Sequence, residues 1–176
     1  MMFSTRSEYG VRVMIQLGRH HGEGPVPLAG IAESERLPLA YLEQLVARLR
    51  KAELVSSTRG AHGGYELARP PEQITMAEVV YALEGTLVPM QCFSDPGTTS
   101  VLCNHEIDGY ENCATKLLWT RVQGGVARAL EHTTLAELAS FAERGLADER
   151  TAKRGAAVGK RTGRSGARAG APALRA

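Results

Sequence analysis

The sequence predicts a mainly α-helical protein with a small β wing, and three observations carry that prediction. Apolar residues recur at three- and four-residue steps through several long runs. The tetrads "TRSE", "TMAE" and "TLAE" stand where such runs begin, and each has the Thr-x-x-Glu pattern of a reciprocal helix cap. Between them, "LVSST", "RGAHGG" and "YELA" read as strand, glycine loop and returning strand.

The first helix is predicted over residues 5–20, with Thr5 at the N-cap, Glu8 reaching back from N3, and Tyr9, Val13 and Leu17 at four-residue spacing. The breaker "GEGPVP" precedes a short helix containing Leu28, Ile31 and Ala32. A tight connection through Leu37 and Pro38 leads to another helix, with Leu42, Leu45, Val46 and Leu49 on its apolar face. Two short helices joined in this way form a helix-turn-helix, and the hairpin that follows makes it a winged helix-turn-helix DNA-binding domain. "TMAEVVYALEG" supplies a further helix with core residues Val79, Val80 and Leu83 and a stop at Gly85.

Residues 86–111 hold Pro89, Pro96, Gly97 and Gly109 without sustained periodicity, and a connection of this length inside a domain is usually functional. Past Asn112, Ala114, Leu117, Leu118, Val122, Val126, Ala129 and Leu130 make a long apolar seam, the mark of a dimerisation helix. Gly124 and Gly125 each cost such a helix about 1 kcal/mol relative to alanine and predict a kink or a close helix approach. The tetrad at Thr134–Glu137 opens a last short helix ending near Gly145. The expected organisation is a DNA-binding domain at 1–85, a cysteine-bearing loop at 86–112, the dimerisation and final helices at 113–145, and a basic tail at 146–176.

With 176 residues, 43% of them hydrophobic, the chain can bury a real core. It has no run of 18 apolar residues and no apolar segment near its start, so neither a membrane span nor a signal peptide is expected, and the cytoplasm is the predicted location. The net charge of +2 is uneven. Residues 151–176 carry seven cations and no acid, which leaves −5 on residues 1–150. That tail, rich in Ala, Gly and Arg, is expected to be disordered, either a solvated appendage or an arm attracted to phosphates. A phosphate-cradling glycine motif, a nucleophile elbow and a paired-carboxylate site are all missing from the sequence, so an enzyme is not expected.

The candidate DNA-contacting residues are Tyr41, Glu43, Gln44, Arg48 and Arg50 on the helix before the hairpin, and Arg59 at the wing tip. Gln44 suits an adenine edge and Glu43 the N4 amino group of cytosine in the major groove, while an arginine on a thin glycine loop suits a narrow minor groove. The plainer alternative is a solvated polar face and a solvent-facing turn arginine. All three cysteines, Cys92, Cys103 and Cys113, fall within 22 positions, in the loop at 86–112 and just past its end. Their odd number argues against a disulfide framework and leaves a metal or iron-sulfur site, a thiol switch, or plain burial. Thiolates are the preferred iron-sulfur ligands, whereas structural zinc sites usually contain a C-x-x-C pair, which is missing here.

The segments "SEYGVRVMIQL", "PVPLAGIAE", "AYLEQLVARLRKAELVSSTRGAHGGYELARPPEQITMAEVVYALEG", "CATKLLW" and "TLAEL" resemble the IscR/NsrR-type (Rrf) family of bacterial winged-helix repressors, over residues 1 to about 142. The resemblance implies a homodimer with a long C-terminal helix crossing between subunits, paired winged helices on a palindromic operator in double-stranded DNA, and an iron-sulfur cluster, 2Fe-2S or 4Fe-4S, held by three cysteines. Cys92, Cys103 and Cys113 match in type and order, with ten and nine intervening residues where the family's gaps are usually shorter. Some relatives use a histidine three residues after the last cysteine as fourth ligand; Lys116 stands there, and an ammonium has no lone pair to give. Others use a carboxylate near the start of the first helix of the opposite subunit, a position matched by Glu8, with His105 the next candidate. The implied function is a repressor sensing nitric oxide, redox or iron-sulfur status. The alternative is a cluster-free member acting as a thiol or zinc switch, or through protein-protein contact with a metabolic enzyme.

Overall fold

A computed structural model describes residues 4–60, 62–85 and 114–145. The element order is α1 (Thr5–Arg19), α2 (Leu28–Glu35), α3 (Leu39–Lys51), β1 (Val55–Thr58), β2 (Gly64–Leu67), a 3-10 turn (Pro71–Gln73), α4 (Met76–Glu84), α5 (Ala114–His132) and α6 (135–145). Residues Met1–Ser140 make one compact unit, and of the second, Phe141–Ala176, only residues 141–145 are described; there Phe141 is 72% exposed with the Arg144 guanidinium 5.9 Å from its ring centre. The cysteine loop, with Cys92, Cys103, Cys113 and His105, and the basic tail both lie outside the described residues.

The predicted periodicities define the core. Val13 and Leu17 of α1, Leu42, Leu45, Val46 and Leu49 of α3, and Val79 and Leu83 of α4 are all at most 1% exposed and belong to one cluster. Burying a leucine side chain contributes about 1.5–3 kcal/mol, so this shared cluster fixes how α1, α3 and α4 pack. Gly10 brings α1 close to α4, since a Cβ there would sit 2.2 Å from a Leu83 methyl carbon. Leu135, fully buried, joins the same cluster, and the turn before it is stitched to the start of α4: the Met76 N–H donates to the Thr133 carbonyl and the Leu135 N–H to the Ile74 carbonyl, both at 2.9 Å.

The helix-turn-helix forms as the sequence suggests. Arg36 ends α2 in the left-handed conformation (φ 55°), and the Leu37 N–H turns back to the Ala32 carbonyl at 2.9 Å. Pro38 then precedes α3 in an extended conformation suited to a helix start. The wing pairs Val55 with Leu67 and Thr58 with Gly64 in antiparallel register. One addition escaped the sequence reading: Val26, inside the stretch taken as a breaker, bridges Tyr65 through two backbone hydrogen bonds of 2.8 and 2.9 Å, giving the wing a third short edge.

The three Thr-x-x-Glu tetrads behave differently. Thr75 and Glu78 form the full reciprocal cap. At Thr134 the Glu137 N–H donates to the threonine hydroxyl at 3.3 Å. The first tetrad is corrected: Ser4, not Thr5, is the N-cap of α1, and its hydroxyl accepts from the Arg6 N–H at 3.1 Å. The cause is a distant carboxylate. Glu84, at the end of α4, accepts from the Ser4 N–H at 3.0 Å, from the Ser4 hydroxyl, and from the Ser7 hydroxyl at 2.7 Å, anchoring the chain one residue earlier. Burial pushes the Glu84 pKa up, but these hydrogen bonds and the nearby Arg6 charge outweigh it and hold the carboxyl below its usual range.

Gly85 ends α4 with φ 80°, as predicted. α5 runs from Ala114 to His132 through Gly124 and Gly125 without interruption. Next to Gly125 there is open space, so neither strain nor close approach singles it out. Among the described residues, no helix is long and apolar enough to cross a membrane.

Candidate nucleic-acid interface

The second helix of the helix-turn-helix presents a well-defined outer face because its inner face is fully committed. Leu42, Leu45, Val46 and Leu49 point into the core, so the helical repeat turns Ala40, Gln44, Ala47 and Lys51 outward, with Leu39, Glu43 and Arg50 on one flank and Tyr41 and Arg48 on the other. Gln44 and Glu43 are exposed, which leaves their polar ends available to a groove. Basic residues fill the last turn of α3, where they also oppose the helix dipole.

The flanking residues are less free than their type suggests. Tyr41 is half-buried and meets Tyr9 of α1 edge to face, with ring centres 5.9 Å apart and planes at 84°. Arg48 donates to the Leu83 carbonyl at 3.4 Å, serving the end of α4. Arg50 donates to the Ser57 hydroxyl at 3.3 Å, tying α3 to the wing. These three residues orient the helix as much as they offer contacts. Arg59 is exposed at the wing tip beside Gly60, whose φ of 117° turns the chain, and the Gly63 N–H closes back on the Gly60 carbonyl at 3.0 Å. Two exposed groups that the sequence reading did not single out join this surface: Lys51, in line with Gln44 and Ala47, and His62 beside the wing tip. A helical projection of α3 anchored on its four buried positions is the signal that finds Lys51.

On α1, Glu8 has a side chain that is 62% exposed, and its carboxylate pairs with Arg12 at 3.9 Å, while its backbone N–H donates to the Ser4 carbonyl at 3.3 Å. Arg12 leans towards Glu35, donating to its carboxylate at 2.8 Å and to its backbone carbonyl at 2.7 Å. Glu8 and Arg12 stand at the rim of an open groove of about 500 Å³ with an apolar floor of Val11, Val80 and Leu130. No three His, Cys, Asp or Glu side chains converge on a metal-sized site among the described residues. The apolar ridge of α5 stays in solvent: Leu117 is 54%, Leu118 57% and Val122 38% exposed, and no residue of this helix is buried.

Known proteins share this arrangement. The model of the Rrf2 family, described as "Iron-dependent Transcriptional regulator", matches residues 3–140. The HTH-type transcriptional regulator CymR of Bacillus subtilis (strain 168) is 40% identical over 143 residues, which cover 81% of this chain and 93% of that protein. The HTH-type transcriptional regulator IscR of Sodalis glossinidius is 38% identical over 143 residues, 81% of each chain. Among solved structures, CymR, described as the global cysteine regulator of B. subtilis, superimposes with a TM-score of 0.66 at 40% identity, covering 80% of this chain and 98% of that one. T. potens IscR gives 0.65 at 39% identity, with 82% and 90% covered.

Proposed function

Because the chain belongs to the Rrf2 family, and is thus a DNA-binding transcription regulator rather than an enzyme, we propose that it acts as a homodimeric repressor whose hold on a palindromic operator is set by an iron-sulfur cluster. The observation that carries this reading is the exposed seam of α5, described from Ala114 onward. Three large apolar side chains in water on one helix call for a partner surface, and the same helix of a second copy offers the self-matching one. Pairing there gives one assembly two copies of α3 and two wings, the requirement for reading two half-sites.

The thiolates of Cys92, Cys103 and Cys113 would hold the cluster, 2Fe-2S or 4Fe-4S, with Glu8 of the partner subunit as the oxygen ligand and His105 as the alternative. The described residues fit that role for Glu8, since its carboxylate is exposed at a groove rim, is held only at 3.9 Å by Arg12, and takes no part in capping α1. When bound, such a cluster supplies a centre that nitric oxide, oxidants or iron shortage can alter, and an oxygen ligand among thiolates makes that alteration easier.

A second reading, control by a thiol or zinc switch or by contact with a metabolic enzyme, is favoured by the likeness to the B. subtilis protein described as a global cysteine regulator. Anaerobic purification followed by visible absorption and operator titration separates the two. A cluster chromophore whose loss changes operator affinity supports the proposal; a colourless protein with unchanged operator affinity refutes it. With the chromophore in hand, Glu8→Gln should leave assembly intact but shorten its lifetime in air, whereas a wild-type lifetime transfers the fourth-ligand role to His105.

A further inference from the structure

The exposed face of α3 is poor in the groups that read guanine. Over its first two and a half turns the exposed side chains are Leu39, Ala40, Glu43, Gln44 and Ala47, three of the five apolar. The commonest specific contact to guanine is a bidentate arginine or lysine, and here the cations are placed elsewhere. Arg48 is turned to the Leu83 carbonyl, Arg50 to Ser57, and Lys51 is the last residue of the helix. Gln44 carries the donor-acceptor pair that matches adenine, and Glu43 can only accept.

The apolar members of this face have one counterpart in the major groove. Leu39 is 40% exposed at the N-terminal end of α3, the end that approaches base edges in helix-turn-helix proteins. Ala40 and Ala47 flank Gln44 and project no further than Cβ, so the helix can come close to the bases. The C5 methyl of thymine is the apolar group that the major groove displays.

We propose that α3 reads thymine methyl groups: Leu39, Ala40 and Ala47 form an apolar contact surface for the thymines of A·T pairs next to the adenine addressed by Gln44. The inference deepens the DNA-binding reading of α3 and rests on it. It makes thymine methyls beside the adenine addressed by Gln44 part of the specific content of each half-site under α3, next to any cytosine that Glu43 accepts from.

The test selects binding sites for the full chain from a random duplex library, then replaces each thymine of the selected site singly by deoxyuridine, which removes the methyl and leaves the base pair. Binding should weaken by about three- to five-fold per contacted methyl at a cluster of positions in each half-site, the factor set by transferring one such group from water. Leu39→Ser and Ala40→Ser, both at exposed positions, should bind the thymine site more weakly and lose sensitivity to uracil there. A selected site indifferent to uracil at every position, or a sensitivity unchanged in both variants, overturns the thymine reading while leaving DNA binding intact. Failure to enrich any duplex overturns the DNA-binding reading of α3 and the inference with it.

Discussion

Replacing Gly64 by alanine tests the least obvious contact in the wing. Gly64 starts β2 opposite Thr58 and lies outside the left-handed region, so its backbone would accept another residue. The obstacle is steric. A Cβ there would stand 2.5 Å from both the carbonyl carbon and the oxygen of Val26 and 2.9 Å from the Pro27 nitrogen, all backbone atoms that cannot swing aside. The Val26 segment must retreat, which loosens its two hydrogen bonds to Tyr65. At about 1 kcal/mol net for each bond, and with overpacking typically costing 1–3 kcal/mol, the expected destabilisation is about 2–3 kcal/mol. Gly30→Ala is the control, because Gly30 sits inside α2 with nothing within 4 Å of its missing Cβ, and alanine there should stabilise by up to about 1 kcal/mol. Urea unfolding followed by far-ultraviolet circular dichroism, at one protein concentration, yields both values. A Gly64→Ala protein within about 0.5 kcal/mol of wild type would refute the close-approach argument.

Arg59→Ala should weaken specific operator binding by about 1–3 kcal/mol at fixed salt, measured by titration, and unchanged affinity would remove Arg59 from the interface. Deleting residues 151–176, with their seven cations, should flatten the salt dependence of nonspecific binding while preserving preference for operator over random DNA; loss of that preference would make the tail more than an accessory. For Glu84, a folded pKa held below the usual 4.5 means that its contribution is present above that value and is lost as the pH falls through the folded pKa. Wild-type thermal stability should therefore drop more steeply below about pH 4.5 than that of Glu84→Gln, and parallel pH profiles would contradict this role.

The sequence by itself determined what depends on near neighbours. The three- and four-residue spacing of Leu42, Leu45, Val46 and Leu49 specified both the helix α3 and its buried face, and through that face the outward position of Gln44. The Thr75–Glu78 cap closes within one helical turn, so its pattern predicted it in full. The wing was legible because glycines between two short β-prone runs favour few alternatives. The family resemblance was legible for the same reason, since these patterns occur together in a fixed order.

Tertiary structure alone decided what depends on residues far apart in the chain. The tetrad at Thr5 carries the same cap pattern as the one at Thr75, yet Ser4 took the N-cap because Glu84, 80 residues away, holds its N–H and hydroxyl. Gly64 read as a loop glycine and proved to mark a close approach of the wing to the Val26 backbone. Arg48 read as one more polar residue on α3 and is directed to the end of α4. The seam of α5 was legible as apolar, but only the fold showed that the core cluster forms without Leu117, Leu118 and Val122, which stay exposed. Periodicity encodes which side of a helix is apolar. What covers that side is decided by distant segments, whose contacts leave no local trace in the sequence.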